Sequence, residues 1–593
     1  MRLGGPKERS THRKIARITC VLRRSLLLTF SECLPRVTEL KGARTSLCAH
    51  LVPRGASTPP CLAALPVFIH YTHKSRRPSL PPGPRGLPLV GNILDVPSGD
   101  IWLKFSQMGD AWGNISSLTV FGQTMVIVNS LEVAEDLLDV RGANFSDRLV
   151  IPMGGELVGF NNALSLSQYG DRVRTERKLF HRLFGSQSAI KQFVPLVSSE
   201  IRKLLQKITL NPGDACGQIG RTMGAISIRI AYGYELEDGP QEDPYLAMFE
   251  TVANNFATST APGTFMIDIV PALRYWPQWL PGGGFHITAK AWAKQLHNTI
   301  NDSYNYVKGK MAAGTAENCF VTNSLEEQIH DDHLIKWAAA SIQVGGSDTT
   351  AAQLEGFLLA MSLYPDVQLA AQKELDDVVG NERLPDISDR SQLPYIDALC
   401  KEVLRWHVCL PTGIPHCARE DFIYDRGGGN EPVLIPKGAA VIPNIWKMTH
   451  DLERYANPMV FDPSRFITTS VKGAELDPTQ ICFGFGRRIC PGRLLADTAL
   501  FMACSSILAV FNISRPRENG RVCATVLRSD CRHCEPCFDP EPVLSNGIFY
   551  KGVTLGVTSV FGVSKIESSG RILVTNLWLV PRVRMFLVSF FFA

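Results

Sequence analysis

One cysteine, Cys490, lies in FGFGRRICPGRLLA (483–496), where a glycine-rich turn runs into a helix opened by Pro491. Proline in a first helical turn gives up an N–H that has no partner inside the helix. The sulfur then sits near a positive helix end whose unpaired N–H groups stabilise a thiolate and moderate its donation to a metal. Gly486 permits the left-handed turn that aims backbone N–H groups at the sulfur, and Gly492 leaves room for a flat ring. Phe483 shields the sulfur from water, and Arg488 offers a charge-assisted bond to a buried carboxylate. A zinc or iron–sulfur centre would want four protein ligands, often as CxxC pairs, and this stretch has one cysteine. Gly484 and Gly486 begin a dinucleotide-binding fingerprint, but Ile489 occupies the place of its third glycine. The plain alternative is a buried apolar cysteine at a helix start.

A second chemical constellation is IKWAAASIQVGGSDTTAAQLEGFLLAMSL (335–363), an apolar helix with Gly345, Gly346, Asp348, Thr349 and Thr350 near its middle. Each mid-helix glycine costs roughly 1 kcal/mol relative to alanine, so some benefit should offset it. Gly345 and Thr349 are four apart and share a face; the missing side chain opens a groove where the Thr349 hydroxyl reaches. A diatomic ligand fits such a groove, and Asp348 relays protons from water to it. The plain alternative is a softened packing helix with a surface aspartate.

In YIDALCKEVLRWH (395–407), Glu402 and Arg405 pair on one helical face, and FDPSRF (461–466) adds Arg465. A carboxylate between two guanidiniums can be fully hydrogen-bonded, so these three read as scaffold holding the loop ahead of Cys490.

These motifs need long helices to position them. From about 101 to 514 helical periodicity dominates, with amphipathic runs at 192–208, 290–313 and 366–379. Strand-like pieces, SLTVFG with MVIVNS and PVLIP with AVIPN, are bounded by Gly and Pro. The fold class is mainly α with small β-sheets. A chain of 593 residues, 45% hydrophobic and 20% charged, buries a large core. The net charge of +5 is concentrated before about residue 58, where Arg13, Lys14, Arg17, Arg23 and Arg24 lack interleaved aromatics, so nucleic acid is not an expected partner. Sixteen scattered cysteines form no secreted disulfide framework, and reduced thiols facing the cytosol are expected.

The order GGSDTT, ExxR, FDPSRF, FGFGRRICPG, after the proline-rich PPGPRGLPLVGN, resembles the cytochrome P-450 family over about 78–516. The stretches YGDRVRTERKLFHRLF, IAYGYEL, GIPHCAREDFIY and NIWKMTHDLERYANP make it similar to fungal microsomal members of the O-methylsterigmatocystin oxidoreductase-like kind. The resemblance implies a triangular helical domain with haem b between the oxygen-binding helix and the helix after the cysteine. It implies a monooxygenase that hydroxylates or epoxidises a lipophilic small molecule, in fungal secondary metabolism or xenobiotic oxidation. Cys490 becomes the iron ligand. Asp348 and Thr349, with Gly345 and Gly346, serve oxygen activation, and Arg177, His416 and Arg488 hold the haem propionates. Electrons come from NADPH through NADPH–cytochrome P-450 reductase, with cytochrome b5 as an optional second donor; Arg487, Arg493 and Lys437 form part of the docking face. A haem-thiolate isomerase, dehydratase or peroxygenase is the alternative class, against which the intact Asp–Thr pair argues.

Several features depart from the pattern. Val173 stands where the family usually has a tryptophan four residues before Arg177, so one propionate bond is expected to be missing. Ser464 replaces the usual glutamate beside Arg465. Residues 1–60 form an atypical basic segment, and 61–77 read as the remnant of a membrane anchor with a basic flank. That run is too short to span a bilayer, which needs about 20 apolar residues. Attachment to the cytosolic face of the endoplasmic reticulum is expected, ahead of mitochondrial targeting. Residues 517–593 form a divergent tail in which Cys531, His533, Cys534 and Cys537 have the makings of a zinc knuckle. Both ends are the expected mark of an imperfect gene model, with an inactive pseudoenzyme as the corresponding functional reading. Stretches 149–162, 256–285 and 410–415 are expected to line an apolar pocket.

Overall fold

A computed structural model describes residues 78–515, apart from 97–98, 238–242, 328–330 and 471–472, with the backbone of three short strand pieces beyond them. The basic segment, the apolar run and the candidate zinc knuckle lie outside the described residues.

Helices dominate. The first is α1 (Ile101–Trp112), followed by α2 (Asp171–Phe184), α3 (Val194–Leu210) and α4 (Ala215–Tyr232). Pro244 opens α5 (Pro244–Thr260), with the Asp243 carboxylate accepting the Leu246 N–H at 3.0 Å. Next come α6 (Phe285–Ala312) and α7 (Asp332–Leu363), whose 32 residues span about 48 Å. Asp331 caps α7 by accepting the Leu334 N–H at 2.7 Å. Prolines also open α8 (Pro365–Val378) and α9 (Pro394–Trp406). The preceding Leu393 has no capping group, so Glu374 of α8 accepts the Tyr395 and Ile396 N–H groups instead, at 2.9 and 3.0 Å. The last long helix is α10 (Arg493–Val510), packed against α3, α7, α8 and α9. Its length and hydropathy would suffice for a membrane span, but its inner face is core: Leu500, Phe501, Ala503, Cys504, Ile507 and Leu508 are buried.

The main sheet begins with a hairpin of β1 (Ile115–Val120) and β2 (Gln123–Val128). Phe121 and Gly122 form its two-residue turn with φ of 46° and 85°, as a primed turn requires. The remaining strands are β3 (Asp147–Arg148), β4 (His416–Cys417), β5 (Phe422–Tyr424), β6 (Val433–Ile435) and β7 (Ala440–Pro443), and the five-stranded order is β1-β2-β7-β4-β3. The sequence pairs PVLIP with AVIPN, but β6 instead pairs with β5, and β7 runs parallel to β2 with Ile127 opposite Ile442. All four β7 residues are buried, so its edges are taken by β2 and β4 rather than by the next strand in the chain. Pairing β3 with β4 sets Arg148 directly opposite His416.

The structure brings Glu402, Arg405 and Arg465 together in the interior. Arg405 grips Glu402 with two bonds of 2.7 and 2.8 Å, and Arg465 adds one of 3.2 Å. The remaining guanidinium donors close onto the meandering loop. Arg405 reaches the Thr449, Pro458 and Val460 carbonyls, and Arg465 reaches those of Ala456 and Val460. Ser464 only folds back on Asp462, whereas Glu475, which no spacing pointed to, meets Arg465 at 2.8 Å. This knot ties α9 to the chain that leads into the cysteine turn. Glu402→Ala would leave two buried guanidiniums without their shared carboxylate. A loss of about 3–5 kcal/mol is expected, read as a lower urea midpoint at unchanged slope.

Candidate active site

The cysteine turn is fastened from two sides. The Cys490 N–H donates to the Phe483 carbonyl at 2.8 Å, closing the loop on itself. Gly486 has φ 55° and lies so close to the Leu138 carbonyl that any Cβ would collide with it; left-handed backbone and close approach together require glycine there. Pro491 does not open α10: Gly492 is the N-cap and Arg493 the first helical residue, so the proline shapes the preceding turn. Burial pushes the Cys490 thiol up, while the Gly492 N–H and the charges of Arg177 and Arg493 pull it down. Gly492 has open space where a side chain would stand, and Phe483 is half-buried against the main core.

Beside this turn three guanidiniums converge. Arg488, buried, donates to the carbonyls of Ser146 (2.7 Å), Leu164 (3.1 Å) and Ser167 (2.5 Å). Arg177 donates to the carbonyl of Ile489, next to the cysteine, at 2.9 Å. Arg148, which sequence reading missed, bonds the carbonyls of Ser165, Ile414 and Pro415. Burial lowers all three, Arg488 to about 10 and Arg148 well below the usual range, with repulsion from Arg488 and Arg177 adding to it at Arg148, from Arg177 at Arg488 and from Arg493 at Arg177. The nearby Asp147 is already engaged by Arg419 at 2.9 and 3.0 Å. His416, buried opposite Arg148, donates from Nδ1 to the Phe145 carbonyl at 2.6 Å; burial and then Arg148 hold it neutral. A cluster this positive, with so little negative charge to balance it, calls for a ligand bearing carboxylates.

The α7 motif carries the second set of candidate residues. At Gly345 an added Cβ would meet nothing within 4 Å, and the Thr349 hydroxyl donates to the Gly345 carbonyl at 2.8 Å. Gly346 differs: a Cβ there would stand 2.7 Å from the Ser227 hydroxyl of α4, so this glycine lets two helices pack closely. Asp348 is half-buried, and two turns further on burial and then the Asp348 charge push Glu355 up to about 7. Of the stretches expected to line the pocket, Phe160 and Phe256 meet edge to face with ring centres 5.0 Å apart. Met266, Tyr275 and Trp279 in the same stretches are largely exposed, so that part faces outward.

Residues 81–523 match the family model described as Cytochrome P-450. The chain belongs to the cytochrome P-450 family. Among curated relatives, Cytochrome P-450 monooxygenase 208 of Postia placenta is 44% identical over 79% of this chain and 90% of its own length. Cytochrome P-450 monooxygenase claR of Ampulloclitocybe clavipes is 43% identical over 78% and 85%. Tryptamine 4-monooxygenase of Psilocybe cyanescens is 36% identical over 79% and 94%. This cytochrome P-450 is therefore a haem-dependent monooxygenase of the kind found in fungal secondary metabolism, which works with a redox partner on lipophilic compounds.

The residues around Cys490 fit that cofactor. The thiol in the glycine turn would hold the iron, the three guanidiniums would hold the propionates, and the open face at Gly345 would leave room for a small ligand. Among the described residues no three His, Cys, Asp or Glu side chains gather as a separate metal site.

The two glycines separate by stability. Gly345→Ala is expected to raise unfolding free energy by about 1 kcal/mol, because the new methyl enters open space on a helix. Gly346→Ala is expected to lower it by about 1–3 kcal/mol through overpacking on Ser227. Urea unfolding of the two variants beside the parent checks both signs.

Proposed function

We propose that Cys490 holds the iron of haem b between α7 and α10, and that Asp348 and Thr349 deliver protons into the Gly345 groove while a lipophilic small molecule is hydroxylated or epoxidised. The observation that carries this reading is the Cys490 turn, with buried guanidiniums that only backbone carbonyls now satisfy. When bound, haem supplies the centre at which dioxygen is activated. The chain's own part is to place protons and exclude water. Thr349 carries a hydroxyl proton whose acceptor is the Gly345 carbonyl, Asp348 stands beside it, and Glu355, pushed up to about 7 by burial, is a reserve behind them. Gly346 keeps this stretch pressed on α4.

Arg488, Arg177, Arg148 and His416 hold the two propionates. For His416 the free Nε2 takes up a proton when an anion arrives, because Nδ1 is committed to Phe145.

Electrons come from NADPH through NADPH–cytochrome P-450 reductase, with cytochrome b5 as a second donor. Arg487, Arg493 and Lys437 are exposed and supply positive charge for an acidic partner. Exposed Met266, Tyr275 and Trp279, between α5 and α6, suit contact with a membrane surface, in keeping with the cytosolic face of the endoplasmic reticulum. The substrate is a lipophilic fungal metabolite; the name of the tryptamine 4-monooxygenase relative makes tryptamine one compound to screen.

A reconstituted system with reductase, vesicles and a metabolite panel tests the assignment. Asp348→Asn is expected to lower product formation about 100-fold. Thr349→Ala is expected to keep consuming NADPH while diverting it to hydrogen peroxide. Unchanged product per NADPH in both variants would contradict the proton-delivery role.

A further inference from the structure

Glu176 lies on the inner face of α2, immediately before Arg177. It is fully buried, and neither carboxyl oxygen has a hydrogen-bond partner. An ionised carboxylate so placed would need donors. Of its guanidinium neighbours, Arg488 spends its donors on the Ser146, Leu164 and Ser167 carbonyls, and Arg172, on its own helix, bonds Asn162 through both Nη atoms while its buried Nε makes no bond to the carboxyl. From α7, Ser341 faces it short of a formed bond and accepts the Leu164 N–H at 3.3 Å. Burial pushes the carboxyl up to about 7, with Arg172, Ser341 and Arg488 opposing the rise. A neutral acid carries one O–H that the chain gives no acceptor. The guanidiniums around it repel a cationic ligand and favour an anionic one.

We infer that Glu176 is a haem-positioning residue that stays protonated in the loaded protein and donates its carboxyl proton to a haem propionate. The inference rests on the haem-binding reading above. Two carboxyl groups sharing one proton avoid the repulsion that two anions would suffer, and the second negative charge strengthens the hold on the proton. Val173, one turn earlier on the same face, is buried and has no donor to offer. The bond exists below the carboxyl pKa and is lost as pH rises through it, above the value of about 7 set without the propionate. Any titration of the charged groups around it, Arg148, Arg177, Arg488 and His416, is common to parent and variants.

Haem release into excess apomyoglobin, followed from neutral into alkaline pH, is the test. In the parent, release should quicken about tenfold across the titration, the worth of one hydrogen bond to a charged group. Glu176→Gln, which keeps an N–H donor, should lose that pH step and stay near the parent's slow rate. Glu176→Leu should release haem at every pH at about the parent's fast alkaline rate, about tenfold above the parent's rate at neutral pH. The loaded parent should also show the infrared band of a protonated carboxylic acid, absent from the Gln variant. Equal release rates in all three proteins, or a parent without that band, would overturn the inference. Failure of the parent to take up haem would sink the parent reading instead.

Discussion

How one sulfur is held decides what the rest of the fold must do. A thiolate in a turn of eight residues needs backbone N–H groups nearby and a surrounding that does not quench it with water. Both come from the chain around 483–493: the Cys490 N–H is tied back to Phe483, Gly486 lies against Leu138, and Gly492 caps α10. None of these contacts is strong alone. Their value is that they fix the same few atoms from different directions, as a rigid metal ligand requires.

Larger elements serve the turn in the same way. The buried knot of Glu402, Arg405 and Arg465 binds α9 to the loop that runs into it. Sheet pairing carries Arg148 and His416 to one spot although 268 positions separate them in the chain. The α7 helix carries an open glycine and a hydroxyl one turn apart, and its second glycine lets it press against α4. Charge is the common thread: beside the cysteine turn Arg148, Arg177 and Arg488 gather where Asp147 is already taken by Arg419, an unfavourable arrangement until an anionic ligand joins it.

What the sequence revealed follows from how local each feature is. Cys490, with its glycines and proline, is written in consecutive residues, because the turn is made by the same residues that do the chemistry. The same holds for Gly345 and Thr349, one helical turn apart. Glu402 and Arg405 are visible as a pair, but their worth depends on Arg465, Glu475 and carbonyls from a distant loop. Arg148 looks like an ordinary arginine in a loop, since only sheet pairing buries it. Glu176 looks like one charge among many on an amphipathic helix until α7 closes over it. The pairing of PVLIP with AVIPN failed for a related reason: β7 found a better-buried place between β2 and β4 than beside its sequence neighbour.

The bond between Cys490 and iron is tested most directly by the absorption of the reduced, carbon monoxide-bound protein. The account predicts that the parent shows the red-shifted Soret band of a thiolate-ligated haem and that Cys490→Ser loses it while keeping the parent's helical content. A Ser variant with an unshifted copy of the parent band, or a parent that binds carbon monoxide without that band, would contradict it.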